Sequence, residues 1–180
     1  MRNKKLLLIA AGLCLVALLF WIFSPAFEAD KKSKRLKSKS ERKTSREIPF
    51  SKEGDVWFFN PEKDTLAHID VEMSRKPYET ARGLMDRSKL GENQGMIFIF
   101  KDMRPRSFWM KNTKIPLDII YIDNQFEVVS IQHDARPYSE ASLPSKGPAQ
   151  YVVEVNSGFC KTHGIDSTSS IFFLEADAGI

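Results

Sequence analysis

The chain has 180 residues, a net charge of +4 and 42% hydrophobic residues, which allows one domain plus an appendage. The basic excess is confined to residues 1–47, with 12 Lys and Arg against 4 Asp and Glu (+8); residues 48–180 hold 15 against 19 (−4). The domain therefore carries no basic excess of the kind a nucleic-acid reading of the high pI would need, and with only Cys14 and Cys160 a disulfide scaffold is excluded as well.

The first element is apolar. Arg2, Lys4 and Lys5 (residues 1–5 form a basic n-region) precede residues 6–23, eighteen positions without a formal charge. At 1.5 Å per residue a helix of that length spans roughly 27 Å, close to the hydrocarbon thickness of a bilayer, so a transmembrane anchor is expected. Ser24-Pro25-Ala26 supplies the small residues of a cleavage site, so the alternative is a signal segment removed near Ala26 with secretion of the remainder. Cys14, inside the apolar run, reads as a packing residue. The pattern of n-region, apolar run and small-residue exit favours export of the domain to the periplasm or cell exterior. The nine basic residues between Lys31 and Arg46, against three before the span, argue for retention on the cytoplasmic side.

Residues 24–47 are expected to form a disordered basic linker. Between Lys31 and Glu47 the only large apolar residue is Leu36, too little to offset the entropy of ordering. The run reads either as a self-repelling spacer or as a polybasic contact with anionic lipid through residues 31–46.

Residues 48–180 are enough for a single core and are mostly patterned with period two. In 65–73, Ala67, Ile69, Val71 and Met73 alternate with His68, Asp70 and Glu72, the signature of a half-buried strand. Further β-rich runs cover 56–59, 96–100, 107–111, 115–123, 126–132, 151–156 and 171–175, with a tight hairpin at Asp123-Asn124-Gln125. One short helix is predicted over 77–87: Pro77 suits its first position, Glu79 its first turn, and Tyr78, Ala81, Leu84 and Met85 share a face. Residues 133–150, with Pro137, Pro144, Pro148 and Gly147, read as one long irregular loop, either a solvated surface loop or a flap contacting a site through Arg136 and Tyr138. The frequent turns suggest a sandwich or barrel.

Four motifs carry a resemblance: Arg82-Gly-Leu-Met-Asp-Arg87, Gly95-Met-Ile-Phe-Ile-Phe100, Phe108-Trp-Met-Lys-Asn-Thr-Lys-Ile-Pro-Leu-Asp118, and Tyr151-Val-Val-Glu-Val-Asn156 with Gly158. In this order and spacing, over about residues 54–175, the chain resembles the bacterial and archaeal "domain of unknown function 192" family, also described as uncharacterised conserved membrane proteins. The resemblance implies a compact, mainly β domain of jelly-roll-like sandwich or barrel type, often behind a signal or anchor. It implies no activity, substrate or cofactor. Residues 165–170 depart from the Gly-Asp pair that similar proteins show before the last strand.

The same motifs define a candidate site. Asp118 interrupts a strand that is apolar on both faces, so its carboxylate needs partners; Asn112, Thr113 and Arg82 are the local candidates. Asp118 reads either as the brace of a hairpin or as an acidic group at the base of a pocket. Phe108 and Trp109 point to opposite sides of their strand: both can be core, or one can line a groove beside Lys111 for a sugar, peptide or envelope polymer. The expected binding set is Arg82, Trp109, Lys111, Asn112, Thr113, Asp118, Arg136 and Tyr138. Glu154 interrupts a second apolar strand, and an Asp118–Glu154 pair is the alternative, a hydrolytic centre. Cys160-Lys-Thr-His163 offers too few ligands for a structural zinc, so no metal or cofactor is expected. A membrane-tethered module binding a small molecule, glycan or partner protein is the leading reading, beside an envelope hydrolase and a purely structural accessory.

Overall fold

A computed structural model describes residues 48–176. The apolar run 6–23 and the basic segment 24–47 lie outside the described residues. Among the described residues no helix is long and apolar enough to cross a membrane.

Seven strands and two short helices follow in the order β1 (Gly54–Phe59), β2 (Thr65–Ser74), α1 (Pro77–Arg82), β3 (Gln94–Phe108), β4 (Leu117–Ile122), β5 (Val128–Ala135), β6 (Leu143–Asn156), α2 (Phe159–His163) and β7 (Ser170–Glu175). They form one sheet in the order β5-β4-β6-β3-β2-β1-β7, not two stacked sheets. Only β2 and β3 run parallel, because the α1 crossover separates them; all other pairs are antiparallel. The sheet curls until its ends meet: Val128 N–H donates to Ser169 C=O (3.0 Å) and Ile171 N–H to Phe126 C=O (2.8 Å). The result is a mainly β half-barrel, as the barrel alternative allowed, and not a jelly-roll-like sandwich.

Curling gives the sheet an inner and an outer core. The inner one takes the apolar phase of each strand, including Val56, Phe58, Ile69, Val71, Ile97, Ile120, Ile122, Val153 and Val155, and is plugged by Phe159, Cys160 and Ile165. The outer one gathers Met96, Phe98, Leu117, Ile119, Tyr121 and Val152 under Leu84, Met110 and Ile115. Strands β4 and β6 contribute to both, which is why all six residues of β4 are buried. In β2 the alternation read from sequence holds, yet Glu72 and Ser74 on the polar phase are also buried, because the crossover covers them.

Three elements differ from the sequence reading. The predicted helix stops at Arg82, because Gly83 takes a positive φ of 47° that turns the chain out of the helix. Residues 133–150 are not one loop: 133–135 finish β5 and 143–150 open β6, leaving 136–142 between them. The prolines are tolerated because β4 pairs only with residues 151–156 of β6, so the first half of that edge has no backbone ladder; side chains of β5 meet it instead, Ser130 accepting from Lys146 N–H and Gln132 donating to Pro144 C=O. On the other edge Pro148 faces Pro105 and Pro144 faces Ser107, at bulges in β3. The helix α2 was not anticipated. Its five residues carry too little periodicity to read, and it ends at Gly164, whose φ of 67° favours glycine.

Gly95 lies where β2, β3 and β6 meet. A Cβ there would stand 2.7 Å from the Glu154 carbonyl oxygen and 2.9 Å from Ile69 Cδ1. Gly95→Ala is predicted to destabilise the fold by roughly 1–3 kcal/mol through overpacking, seen as a lower urea midpoint with an unchanged m-value.

Candidate functional site

Asp118 points into the inner core and is fully buried. Neither the Asn112–Thr113 turn nor Arg82 meets it: Arg82 is solvent-exposed, and the carboxylate takes backbone donors instead. Oδ1 accepts from Asp134 N–H at 3.0 Å and Oδ2 from Cys160 N–H at 3.1 Å. The first donor exists because β5 bulges opposite Asp118. Leu117 pairs with Ala135 and Ile119 with Gln132, so two residues of β5 oppose one of β4, and Asp134 adopts φ 51°. The second is the amide of Cys160 in α2. Losing the carboxylate would leave two amides without acceptors, at about 1–3 kcal/mol each when buried. His133 Nδ1 stands 3.9 Å from Oδ2. The Cys160 thiol is buried; burial first, and then the Asp118 charge and hydrogen bond, push its pKa up, so it is not an activated nucleophile. His163 does not join it: its ring packs on Phe159 at 4.3 Å.

Glu154 belongs to the outer core. It pairs with Ile119 of β4, whereas Asp118 pairs with Val155 of β6, so the two carboxylates leave opposite faces of the sheet. The expected two-carboxylate centre is therefore not formed. Glu154 is 4% exposed, and its Oε2 has no hydrogen-bond partner. Burial pushes its pKa up to about 8. On the same face Glu72 is ion-paired with Arg87, both buried, and accepts from Ser51 N–H at 2.8 Å.

The Trp-Met-Lys-Asn-Thr turn ties loops together. Asp86 N–H donates to Asn112 C=O (2.9 Å), Met110 N–H to Ser139 C=O (2.8 Å) and Tyr138 N–H to Thr113 C=O (3.1 Å). Asn112 has φ 55° and is exposed, serving the turn through its backbone, while Thr113 is buried and also donates its hydroxyl to Lys111 C=O at 3.4 Å. The aromatic pair divides. Phe108 packs edge-on against Phe98 (4.9 Å) and Tyr121 (6.1 Å), whereas Trp109 is 46% exposed with the Lys111 ammonium 5.0 Å from its ring. Trp109 borders a groove of about 370 Å³ whose other walls include Phe100, Arg104, Arg106, Phe108 and Thr80. Arg106 is buried and committed: its Nε donates to Ala149 C=O (3.0 Å), and its guanidinium lies 4.0 Å over the Phe100 ring. Arg104 is exposed and makes one loose pair with Asp102 at 3.3 Å.

Of the expected binding set, Trp109 lines this groove, and Lys111 meets the Trp109 ring without lining it. Arg136 and Tyr138 are exposed on the adjoining loop, and Asp118 is remote on the inner face. Sequence reasoning missed Phe100, Arg104, Arg106 and Thr80. No local pattern announced them: residues 101–107, Lys-Asp-Met-Arg-Pro-Arg-Ser, show no apolar alternation, and it is the pairing of β3 with β6 that extends the strand through Pro105. Sequence reasoning also missed the approach of His133 to Asp118 and Cys160, which no local spacing reveals.

A fold built on one curled seven-stranded sheet, with these motifs in place, defines a small mainly β domain of uncharacterised function. The model of the DUF192 family, described as "Uncharacterized ACR", matches residues 59–173, and the chain belongs to that family. A crystal structure from Sinorhizobium meliloti, provisionally described as a transcription regulator, is 33% identical with a TM-score of 0.65, over 71% of this chain and 97% of that one. A second, from Novosphingobium aromaticivorans and described as a protein of unknown function, is 37% identical with a TM-score of 0.61, over 66% and 83%. No curated protein matches.

Glu154 generates a pH prediction. Its folded value of about 8 lies above the ordinary 4.5, so the folded chain holds a proton that the unfolded chain has released. This contribution is full below pH 4.5, falls as pH rises, and is lost once pH passes the folded value. Glu154→Gln keeps the neutral shape and is predicted to flatten that decline, with a gain over wild type of roughly a few kcal/mol near pH 8 and little change at acid pH. Urea midpoints across the range check it.

Proposed function

We propose that the protein is a membrane-tethered envelope module that binds a short glycan, or a polar small molecule with a similar flat face, in the groove beside Trp109. The observation that carries this reading is Trp109 itself. Its ring is 46% exposed at the rim of a groove of about 370 Å³. Phe108 already fills the adjacent core position, so the fold makes little use of the Trp109 face. Rings of this kind stack on the apolar face of a sugar, and exposed Arg104 and Ser107 supply donors at the same wall. The volume falls within the range of small-ligand clefts.

The tether belongs to the same proposal. Residues 6–23 anchor the chain, the domain lies outside the cytoplasmic membrane, and residues 31–46 hold it off the bilayer or contact anionic lipid. The hydrolase alternative loses its support, since Asp118 and Glu154 leave opposite faces and neither lines the groove.

The test is titration of the full-length chain in detergent with short neutral and uronic-acid oligosaccharides, read by tryptophan fluorescence and calorimetry. Trp109→Ala is expected to weaken binding at least about tenfold, a loss of ~1.4 kcal/mol, without lowering the melting temperature. An unchanged affinity in that variant, or no binding by wild type across the panel, contradicts the reading.

A further inference from the structure

Away from the groove, the polar cluster on the inner face has the composition of a metal site. Asp118 on β4, His133 on β5 and Cys160 on α2 bring a carboxylate oxygen, an imidazole nitrogen and a thiol sulfur within 4.8 Å of one another. They come from three separate elements, so the fold and not a local turn assembles them. In tetrahedral zinc geometry an imidazole nitrogen and a carboxylate oxygen stand about 3.3–3.5 Å apart. Asp118 Oδ2 and His133 Nδ1, at 3.9 Å, need to close by about half an ångström.

Electrostatics favours a cation there. Asp118 is fully buried, and the only side-chain cation within ion-pair range of it among the described residues is His133, which carries charge only when protonated. Its two amide donors orient the carboxylate but bring no formal charge. The Cys160 thiol lies against the same carboxylate, an arrangement that opposes thiolate formation until a positive ion is added. His133 is about half exposed and gives the cluster a solvent side.

A second trio, Asp55, His68 and Asp70, has the same spacing but is already served. The Lys52 ammonium lies 2.7 Å from Asp55 and 2.8 Å from Asp70, where an ion would otherwise sit.

We propose that Asp118, His133 and Cys160 form a three-ligand site for a borderline-soft divalent cation, with zinc as the best chemical match. The mixed oxygen, nitrogen and sulfur set suits Zn²⁺ over Mg²⁺ or Ca²⁺, and three protein ligands leave a position for water. Binding releases the Cys160 proton to solvent and places a charge between the β5 bulge and α2.

The experiment is titration of the full-length chain with Co²⁺, followed by competition with Zn²⁺, in a Cys14→Ser background so that Cys160 is the one thiol. One Co²⁺ per chain with an intense near-ultraviolet thiolate charge-transfer band, displaced by Zn²⁺, is expected. Cys160→Ser should abolish the band. His133→Ala changes a half-exposed side chain, so it should fold normally and weaken Co²⁺ binding at least about tenfold, since loss of a ligand's outer partner alone costs that much. The absence of a thiolate band in the Cys14→Ser chain, or an unchanged affinity in folded His133→Ala, overturns the proposal. If Cys160→Ser does not fold, His133→Ala decides alone.

Discussion

The inner half of this domain depends on one buried carboxylate. Asp118 reaches both the bulge of β5 and the first turn of α2, and it does so by accepting one amide hydrogen bond from each. A buried charge is costly when left alone, so these donors are a condition of the fold, not an ornament on it. Through them the open end of the half-barrel is closed, because α2 carries Phe159 and Cys160 into the inner core. The bulge in turn places His133 where it meets the same carboxylate.

The second constraint is parity. Strands β4 and β6 are adjacent and apolar on both faces, so a shift of one residue in their register would exchange the inner and outer sets. With the observed register Asp118 faces inward and Glu154 outward. Two acidic interruptions that look equivalent along the chain thus have opposite physics: one accepts an amide on each oxygen, the other keeps an unpartnered oxygen and is held protonated by its burial. The outer face takes its charged pair elsewhere, at Glu72 and Arg87. It is closed by the Met110–Thr113 turn, whose backbone groups tie residues 86, 138 and 139 together. That rigid turn is what presents Trp109 to solvent.

Much of this was legible in the sequence where a pattern was local. The alternation of β2, the two-sided apolarity of β4 and the hairpin at Asp123 all have short-range signals, and each has its counterpart in the structure. Reading failed where partners are backbone groups or distant strands. Nothing in the side chains near Asp118 announces that its acceptors will be filled by amides of residues 134 and 160. The prolines of 144 and 148 suggested a loop, because their tolerance depends on how far β4 extends beside β6. The helix α2 was missed for its brevity. The division of Phe108 and Trp109 between core and surface was one of two readings that alternation left open, and the packing against Phe98 and Tyr121 settles which ring is inside.

The most direct test of the central claim is native-state hydrogen exchange at the amides of Asp134 and Cys160 in wild type and in Asp118→Ala. If the carboxylate ties bulge to helix, both amides lose protection together while the β3–β6 ladder amides at Ile97 and Val153 keep theirs relative to global unfolding. Unchanged protection at both amides in the variant would contradict the account.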